Sequence, residues 1–241
     1  MRKWAEVAAA AGTHEAVLAW ALSLPFRENR QGDKDRGSLL DLPSGAGALS
    51  AKLSASGFRV TASDIVLHEG FKGDKSKFVR CDANQPLPFV DESFDVVCSI
   101  EGIEHLENPS AFLREIHRVL KPGGHAAIST PNVDSYTSKR NNFFKGYPRY
   151  FAPKSPFEKD SGHLLPIDLI FMKGALRRSG LTLQEVRTNL GRPKKTLRSE
   201  LFRALVAKSW PAGLGEDPPF YGEVLIYCTK KPNSFPPKGP L

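Results

Sequence analysis

The sequence predicts an α/β fold: a mostly parallel sheet with helices on both faces. Three observations carry that reading. Short apolar runs at 38–42, 59–65, 77–83, 94–100 and 125–130 are separated by helical or turn-forming stretches, and strands spaced that way pair in parallel. The run FDVVCSI at 94–100 is apolar nearly throughout, as a strand covered on both faces must be. Four acids, Asp41, Asp64, Asp82 and Glu101, fall within or just after strands. Ligands of such sheets bind beyond the carboxyl ends of the strands, near the point where strand order reverses. A functional site is expected at that acid-lined edge.

Each element follows from local chemistry. Residues 1–37 begin basic and then apolar (MRKWAEVAAAAGTHEAVLAWAL), but His14 and Glu15 interrupt the run. A helix packed on the domain is expected there rather than a signal peptide. SLLDL at 38–42 is the first strand, with a helix at 48–56 behind it. RVTASDI (59–65) and KFVRCDA (77–83) are alternating strands that end at acids. SAFLREIHRVL at 110–120 places Phe112, Leu113, Ile116, Val119 and Leu120 at helical spacing. Pro109 ahead of it and KPGG behind it are start and stop signals. HAAIST at 125–130 is another strand, closed by PN.

Residues 133–165 lack a clear period and are rich in Asn, Pro, Lys, Tyr and Phe. A long loop of that kind in a compact domain is usually functional or disordered. Tyr136, Phe143, Phe144, Tyr147, Tyr150, Phe151 and Phe157 argue against plain disorder, so a lid or substrate-binding insertion is expected. Then come a helix at 166–179 closed by Gly180, a strand at 181–188, an amphipathic basic helix at 197–209 and a last strand, EVLIYCT, at 223–229. In that helix Leu201, Phe202, Leu205 and Val206 read as core. The chain thus divides into an N-terminal helical segment (1–37), a core (38–132), the insertion (133–165), the rest of the sheet (166–231) and a frayed tail (232–241), all in one domain.

Composition supports one domain without staples. Of 241 residues, 40% are hydrophobic and 25% charged, enough for a substantial core. Cys81, Cys98 and Cys228 are far apart and form no CxxC pair, so buried thiols and a reducing, cytoplasmic location are expected. No run of about 18 apolar residues suggests a membrane span. The net charge of +8 is uneven: residues 1–136 carry a net −3 and residues 137–241 a net +11. The second half is therefore suited to an anionic partner, unless the basic surface serves solubility alone.

The turn LLDLPSGAGALS puts Gly45 and Gly47 directly after the first strand, where glycine lets a ligand approach the main chain. With VTASDI, FVRCDAN, FDVVCSIEGIEHL and REIHRVLKPGGHAAISTPN, it resembles the class I S-adenosylmethionine-dependent methyltransferases, motif after motif, from about Leu39 to Asn132. Pro43 stands where the family has a first glycine. The resemblance implies a Rossmann-like fold with a seven-stranded, mostly parallel sheet whose last strand, here FYGEVLIYCTKKP, is antiparallel. It also implies the cofactor S-adenosyl-L-methionine. By matching motif, Asp41, Pro43, Gly45 and Gly47 shape the pocket for its methionine part, and Asp64 accepts hydrogen bonds from both ribose hydroxyls. Asp82 and Ala83 meet the adenine, Ile65 and Ala83 sandwich the ring, and Ser99 to Gly102 run along the methionine end.

EGIEH follows the fourth strand. If a helical turn begins near Gly102, Glu101 shares one side with Glu104 and His105, facing the transferred methyl. The stretch resembles the ExxEH element of the ubiquinone-biosynthesis O-methyltransferases and of the small-RNA terminal 2′-O-methyltransferases, where such residues bind a divalent cation. The resemblance implies that His163, in DSGHLLPIDL, completes the site. Oxygen and nitrogen ligands of this mix suit Mg²⁺, Mn²⁺, Zn²⁺ or Fe²⁺. Three readings stay open: a metal at Glu101, Glu104, His105 and His163; metal-free catalysis or substrate contact by Glu101, His105 and His163; or a structural role.

TSKRNNFFKGYPRYF interleaves Lys139, Arg140, Lys145 and Arg149 with aromatics, a pattern able to stack bases, lie on an acidic membrane surface or grip an anionic sugar or lipid. A small, lipid-linked or glycan acceptor methylated on oxygen ranks first, and RNA below it, for no RNA-binding module is recognisable. The competing reading is a catalytically silent cofactor-binding or regulatory protein of the same fold.

Overall fold

The computed structural model describes residues 9–25, 35–152, 162–190 and 221–233. The expected helix at 197–209, with Leu201, Phe202, Leu205 and Val206, lies outside them, as do Phe157 and nearly all of the tail.

Seven strands form one sheet: β1 (Ser38–Asp41), β2 (Arg59–Asp64), β3 (Phe78–Arg80), β4 (Phe94–Ser99), β5 (Leu120–Pro131), β6 (Thr182–Thr188) and β7 (Val224–Lys230). Their order across the sheet is β3-β2-β1-β4-β5-β7-β6. The first five run parallel, and β7 pairs antiparallel with both β5 and β6. The order reverses between β1 and β4, so the crevice beyond their carboxyl ends is the switch point.

Strand alternation divides the core in two. Leu40, Val97, Ala126, Ile128, Leu225 and Tyr227 face α3 (Pro109–Val119) and α5 (Leu169–Ser179). Leu39, Val96, Cys98, Ala127, Ile226 and Cys228 face α1 (Thr13–Ser23) and α2 (Ala48–Ala55). Successive side chains on a strand point to opposite faces, so a strand buried on both must be apolar at every position. All three cysteines are free, and Cys98 and Cys228 are core residues.

Helix α3 is the best specified. Asn108 caps it by accepting from Ala111 N at 2.9 Å, and Pro109 occupies its first turn. Phe112, Leu113, Ile116 and Val119 are buried on one face. Burying each stabilises the fold by about 1.5–3 kcal/mol, and Ile116→Ala would cost about 2–5 kcal/mol. Arg118, on the other side, makes a bidentate pair with Glu115 and binds Asp91 and the carbonyls of Leu87 and Phe89, pinning the loop before β4.

Two elements depart from expectation. β5 begins at Leu120 rather than His125, because Leu120 already pairs with Phe94 before a bulge passes the KPGG turn. Within 133–165 a helix, α4 (Tyr136–Lys145), forms despite the missing period. Its ends explain it: Ser135 accepts from Ser138 N, and Gly146 closes it in the left-handed conformation. Asp134 anchors it from below, accepting from Leu169 N at 3.0 Å and pairing with Lys139 at 3.0 Å. Among the described residues no helix is long and apolar enough to cross a membrane.

Candidate active site

The first wall of the crevice is the β1–α2 turn. Asp41 ends β1 fully buried and accepts from the Ser50 hydroxyl at 2.5 Å. Burial pushes its carboxyl up to about 7, against the Ser50 hydrogen bond and with help from the nearby charge of Asp64. Gly45 and Gly47 both have positive φ, 51° and 75°. A Cβ on Gly47 would lie 2.5 Å from the Phe71 ring, whereas one on Gly45 would meet nothing within 4 Å. Gly45 therefore leaves the loop's backbone open to a ligand. Pro43, where the family has glycine, packs so close to Gly102 that any side chain at 102 would overlap its ring.

Asp64, ending β2, accepts from Gly45 N at 2.8 Å and from Ile65 N at 2.7 Å. One oxygen faces each donor, and each oxygen can accept a second bond. Ile65 beside it is exposed. After β3, Asp82 turns the chain by accepting from Asn84 N at 2.9 Å, and Ala83 packs partly against the core. Asn84 in turn accepts from Glu107 N at 2.9 Å, which ties this turn to the segment after β4. The hydroxyls of Ser44 and Ser99 are buried without a hydrogen-bond partner. An open glycine loop, an acid able to accept further, an exposed aliphatic surface and two orphaned hydroxyls fit a nucleoside cofactor with a polar tail.

After β4 the chain does not form the expected α-helical turn. Residues Ile103–His105 form a 3-10 turn, and Glu101 lies at φ 49°, in the left-handed region. Glu101 consequently falls outside the group formed by Glu104, His105 and His163, although its charge still reaches Glu104. Its carboxylate accepts from Ala10 N at 3.0 Å and the Thr13 hydroxyl at 3.3 Å, at the start of α1. Burial raises its pKa, while these two donors oppose the rise.

Glu104 is fully buried, and neither carboxylate oxygen has a partner at hydrogen-bond geometry, the Thr130 hydroxyl nearby included. Burial, with the nearby charge of Glu101, pushes it up to about 8, against its own backbone and the Thr130 hydroxyl. Its backbone carbonyl accepts from Leu164 N and Leu165 N at 2.9 and 3.2 Å, stitching the 162–165 segment onto the turn. That stitching brings His163 to His105, with ring centroids 4.8 Å apart. Glu104, His105 and His163 can each offer one ligand atom within 4.8 Å of the others. His105 Nδ1 lies 2.8 Å from the Gly162 carbonyl, and His163 Nδ1 lies 3.0 Å from that of Tyr150. A carbonyl only accepts, so Nδ1 of each ring carries a proton. For a neutral ring the lone pair then sits on Nε2, as in histidines that ligate metals. The buried carboxylate without donors and the two oriented imidazoles fit a divalent cation.

At this rim the sequence marked Arg149 and Tyr150 for their charge and aromaticity but not for their partners, and it did not mark Asn189. Arg149 stacks over Tyr150 at 4.8 Å and pairs with Glu223 at 3.0 Å. Burial, then Glu223, pushes the Tyr150 hydroxyl up to about 12. Asn189, after β6, accepts from Glu223 N and Val224 N and donates to Ala11 O. Asn189 belongs to no local motif. The roles of all three depend on contacts between segments far apart in sequence.

Residues 40–128 match the family model described as a methyltransferase domain. Among relatives, a demethylmenaquinone methyltransferase of Clavibacter sepedonicus is 43% identical over 105 residues, 39% of this chain and 42% of that protein. A ubiquinone biosynthesis O-methyltransferase of Pseudomonas syringae pv. tomato is 33% identical over 114 residues, 44% of this chain and 47% of that protein. The chain spans about half the length of these relatives or less. Among solved structures, a Burkholderia thailandensis 1,6-didemethyltoxoflavin-N1-methyltransferase with bound 1,6-didemethyltoxoflavin and S-adenosylhomocysteine aligns with TM-score 0.56 and 18% identity, over 92% of this chain and 79% of that one. An S-adenosylmethionine-dependent methyltransferase of Mesorhizobium loti aligns with TM-score 0.55 and 18% identity, over 92% and 98%. At those identities the likeness concerns the fold, and the strand order with the reversed β7 is the fold the sequence motifs imply. The matched segment, the strand order and the glycine loop closed by Asp64 together support a class I S-adenosylmethionine-dependent methyltransferase.

Proposed function

We propose that the protein transfers a methyl group from S-adenosyl-L-methionine to a hydroxyl of a small, lipid-linked or glycan acceptor. The observation that carries this reading is the group of Glu104, His105 and His163 at the carboxyl end of β4, across from the glycine loop of β1. A hydroxyl arrives protonated, so a site that methylates oxygen needs a proton acceptor, and this group supplies one.

When bound, S-adenosylmethionine supplies a methyl on a sulfonium sulfur, for which in-line alignment gives most of the rate. A divalent cation held by Glu104, His105 and His163 would supply a lowered pKa at the acceptor hydroxyl. The chain's own residues do the rest. Asp64 would offer its remaining lone pairs to the ribose hydroxyls, and Asp82, Ala83 and Ile65 would hold the adenine. Asp41, Pro43, Gly45 and Gly47 shape the methionine pocket, with Ser99 beside it. With a cation bound, His105 Nε2 would be its ligand; without one, His105 would take the hydroxyl proton at Nε2, since its Nδ1–H is committed to the Gly162 carbonyl. Lys139 and Arg149 are paired with Asp134 and Glu223, so a positive field for an anionic acceptor would come chiefly from Arg140 and Lys145.

The test is methyl transfer from labelled cofactor into pooled polar metabolites, lipid extracts and glycans, with equilibrium dialysis of Mn²⁺ and Zn²⁺ alongside. Label should enter one pool, and His105→Ala should abolish it. Cofactor binding with no label in any pool would support the catalytically silent reading instead. Undiminished dialysis binding in a Glu104→Ala, His105→Ala double variant would remove the cation from this account.

A further inference from the structure

Glu101 does not join Glu104 and His105; it fixes the start of helix α1. Its Oε1 accepts from Ala10 N and from the Thr13 hydroxyl, bonds that reach across 91 and 88 residues of sequence. Its backbone sits at φ 49°, a conformation a glutamate keeps only where its surroundings impose it, and its N–H donates to Ser129 Oγ at 3.0 Å. Helix α1 lacks a cap of its own. Its N-cap is Gly12, with φ 83° and no side chain to satisfy the first turn. Glu101 does not accept from the first-turn amides; it holds Ala10, ahead of the turn, and the Thr13 hydroxyl in it, with a charge suited to the positive end of a helix.

A second tether holds the same turn from the other side. Asn189 donates to Ala11 O at 3.0 Å while its Oδ1 accepts from Glu223 N and Val224 N. A Cβ on Gly12 would lie 2.5 Å from the Asn189 carbonyl, so this close approach depends on glycine. Both tethers lie at the carboxyl edge of the sheet. From there α1 packs through Val17 and Trp20 into the same core cluster as Leu49 and Leu53 of α2, the helix that the glycine loop begins.

We propose that Glu101 is a positioning residue: it clamps the start of α1 to the carboxyl edge of the sheet, so that this helix and the glycine loop hold the cofactor as one unit. It is therefore not a ligand of a cation at Glu104. The identity of the cofactor rests on the function proposed above, whereas the clamp does not.

Hydrogen–deuterium exchange of residues 9–14 in the ligand-free protein, with calorimetric titration of S-adenosylhomocysteine, tests it. In Glu101→Ala, exchange of these amides should rise about tenfold and affinity should fall about tenfold, as loss of a charge-assisted hydrogen bond implies. Glu101→Gln keeps an acceptor oxygen and should stay within about threefold of wild type in both, since a neutral hydrogen bond retains part of the interaction. Asn189→Ala, with Glu101 intact, should shift both readouts in the same direction as Glu101→Ala. If Glu101→Ala does not fold by circular dichroism, Asn189→Ala and Thr13→Val carry the test. Unchanged exchange in the folded variants overturns the clamp. Raised exchange with unchanged affinity overturns its link to the cofactor. Loss of Mn²⁺ binding in both Glu101→Ala and Glu101→Gln would instead make Glu101 a cation ligand. If wild type binds no S-adenosylhomocysteine, the function proposed above fails together with the coupling, and exchange alone decides the clamp.

Discussion

Asp41→Asn isolates what it costs to bury a carboxyl at the end of β1. Asp41 is 1% exposed, and burial pushes it up to about 7, opposed by the Ser50 hydroxyl and aided by Asp64. In an unfolded chain the same group titrates near ~3.9. The folded protein thus keeps a proton that the unfolded chain has released. Stability is therefore fullest below about pH 4 and falls as pH rises towards 7. At ~1.36 kcal/mol per pH unit, the loss reaches about 3 kcal/mol at pH 6 and levels near ~4 kcal/mol by pH 8. Asparagine has the same shape, never ionises, and can still accept from Ser50 through its carbonyl oxygen. Urea unfolding should then show matched stabilities at pH 4 and a gap of about 4 kcal/mol in favour of the variant at pH 8. Glu104, pushed up to about 8, affects both proteins alike and cancels in the difference. A gap that stays constant with pH, or a variant less stable at pH 8, would refute this account of Asp41.

Other substitutions probe other parts of the site. Gly47→Ala places a methyl 2.5 Å from the Phe71 ring and 2.9 Å from Gly73 N at φ 75°, whereas Gly45→Ala meets only the backbone strain. Thermal melts should rank wild type above Gly45→Ala, down by about 1 kcal/mol, and Gly47→Ala lowest, down by about 2–3 kcal/mol. The reverse order of the two variants would contradict the packing described for Gly47. Asp64→Ala should weaken S-adenosylhomocysteine binding by tenfold or more, since each hydrogen bond to a charged group is worth about 1.5–3 kcal/mol. Arg118→Ala unpairs Glu115 and strands two carbonyls, so urea unfolding should report a loss of about 2–3 kcal/mol; a loss under about 0.5 kcal/mol would reduce it to an ordinary surface residue.

The sheet was legible because its strands are punctuated by chemistry that acts locally. Asn108–Pro109 opens α3, acids end β1 and β2, and Gly180 closes α5, each within a residue or three of its expected place. Helix α4 was hidden because YTSKRNNFFK buries only Ser138 and leaves Phe143 and Phe144 exposed, so no amphipathic period marks it. Its caps, Ser135 and Gly146, were the available signal. At EGIEH the residues were conspicuous but their geometry was not. The expected turn assumed helical φ at Glu101, while the observed φ of 49° is set by Ser129, Ala10 and Thr13, none adjacent in sequence. The resemblance pointed to His163, and the backbone bonds from Leu164 and Leu165 to Glu104 are what bring it beside His105.

The central claim is that the carboxyl edge around Gly45 and Asp64 holds S-adenosylmethionine. Calorimetric titration of S-adenosylhomocysteine into the wild-type protein and into Asp64→Ala tests it most directly. The account predicts saturable one-to-one binding to the wild type that Asp64→Ala weakens by tenfold or more. Absence of saturable heat with the wild type, or equal affinity in the two proteins, would contradict it.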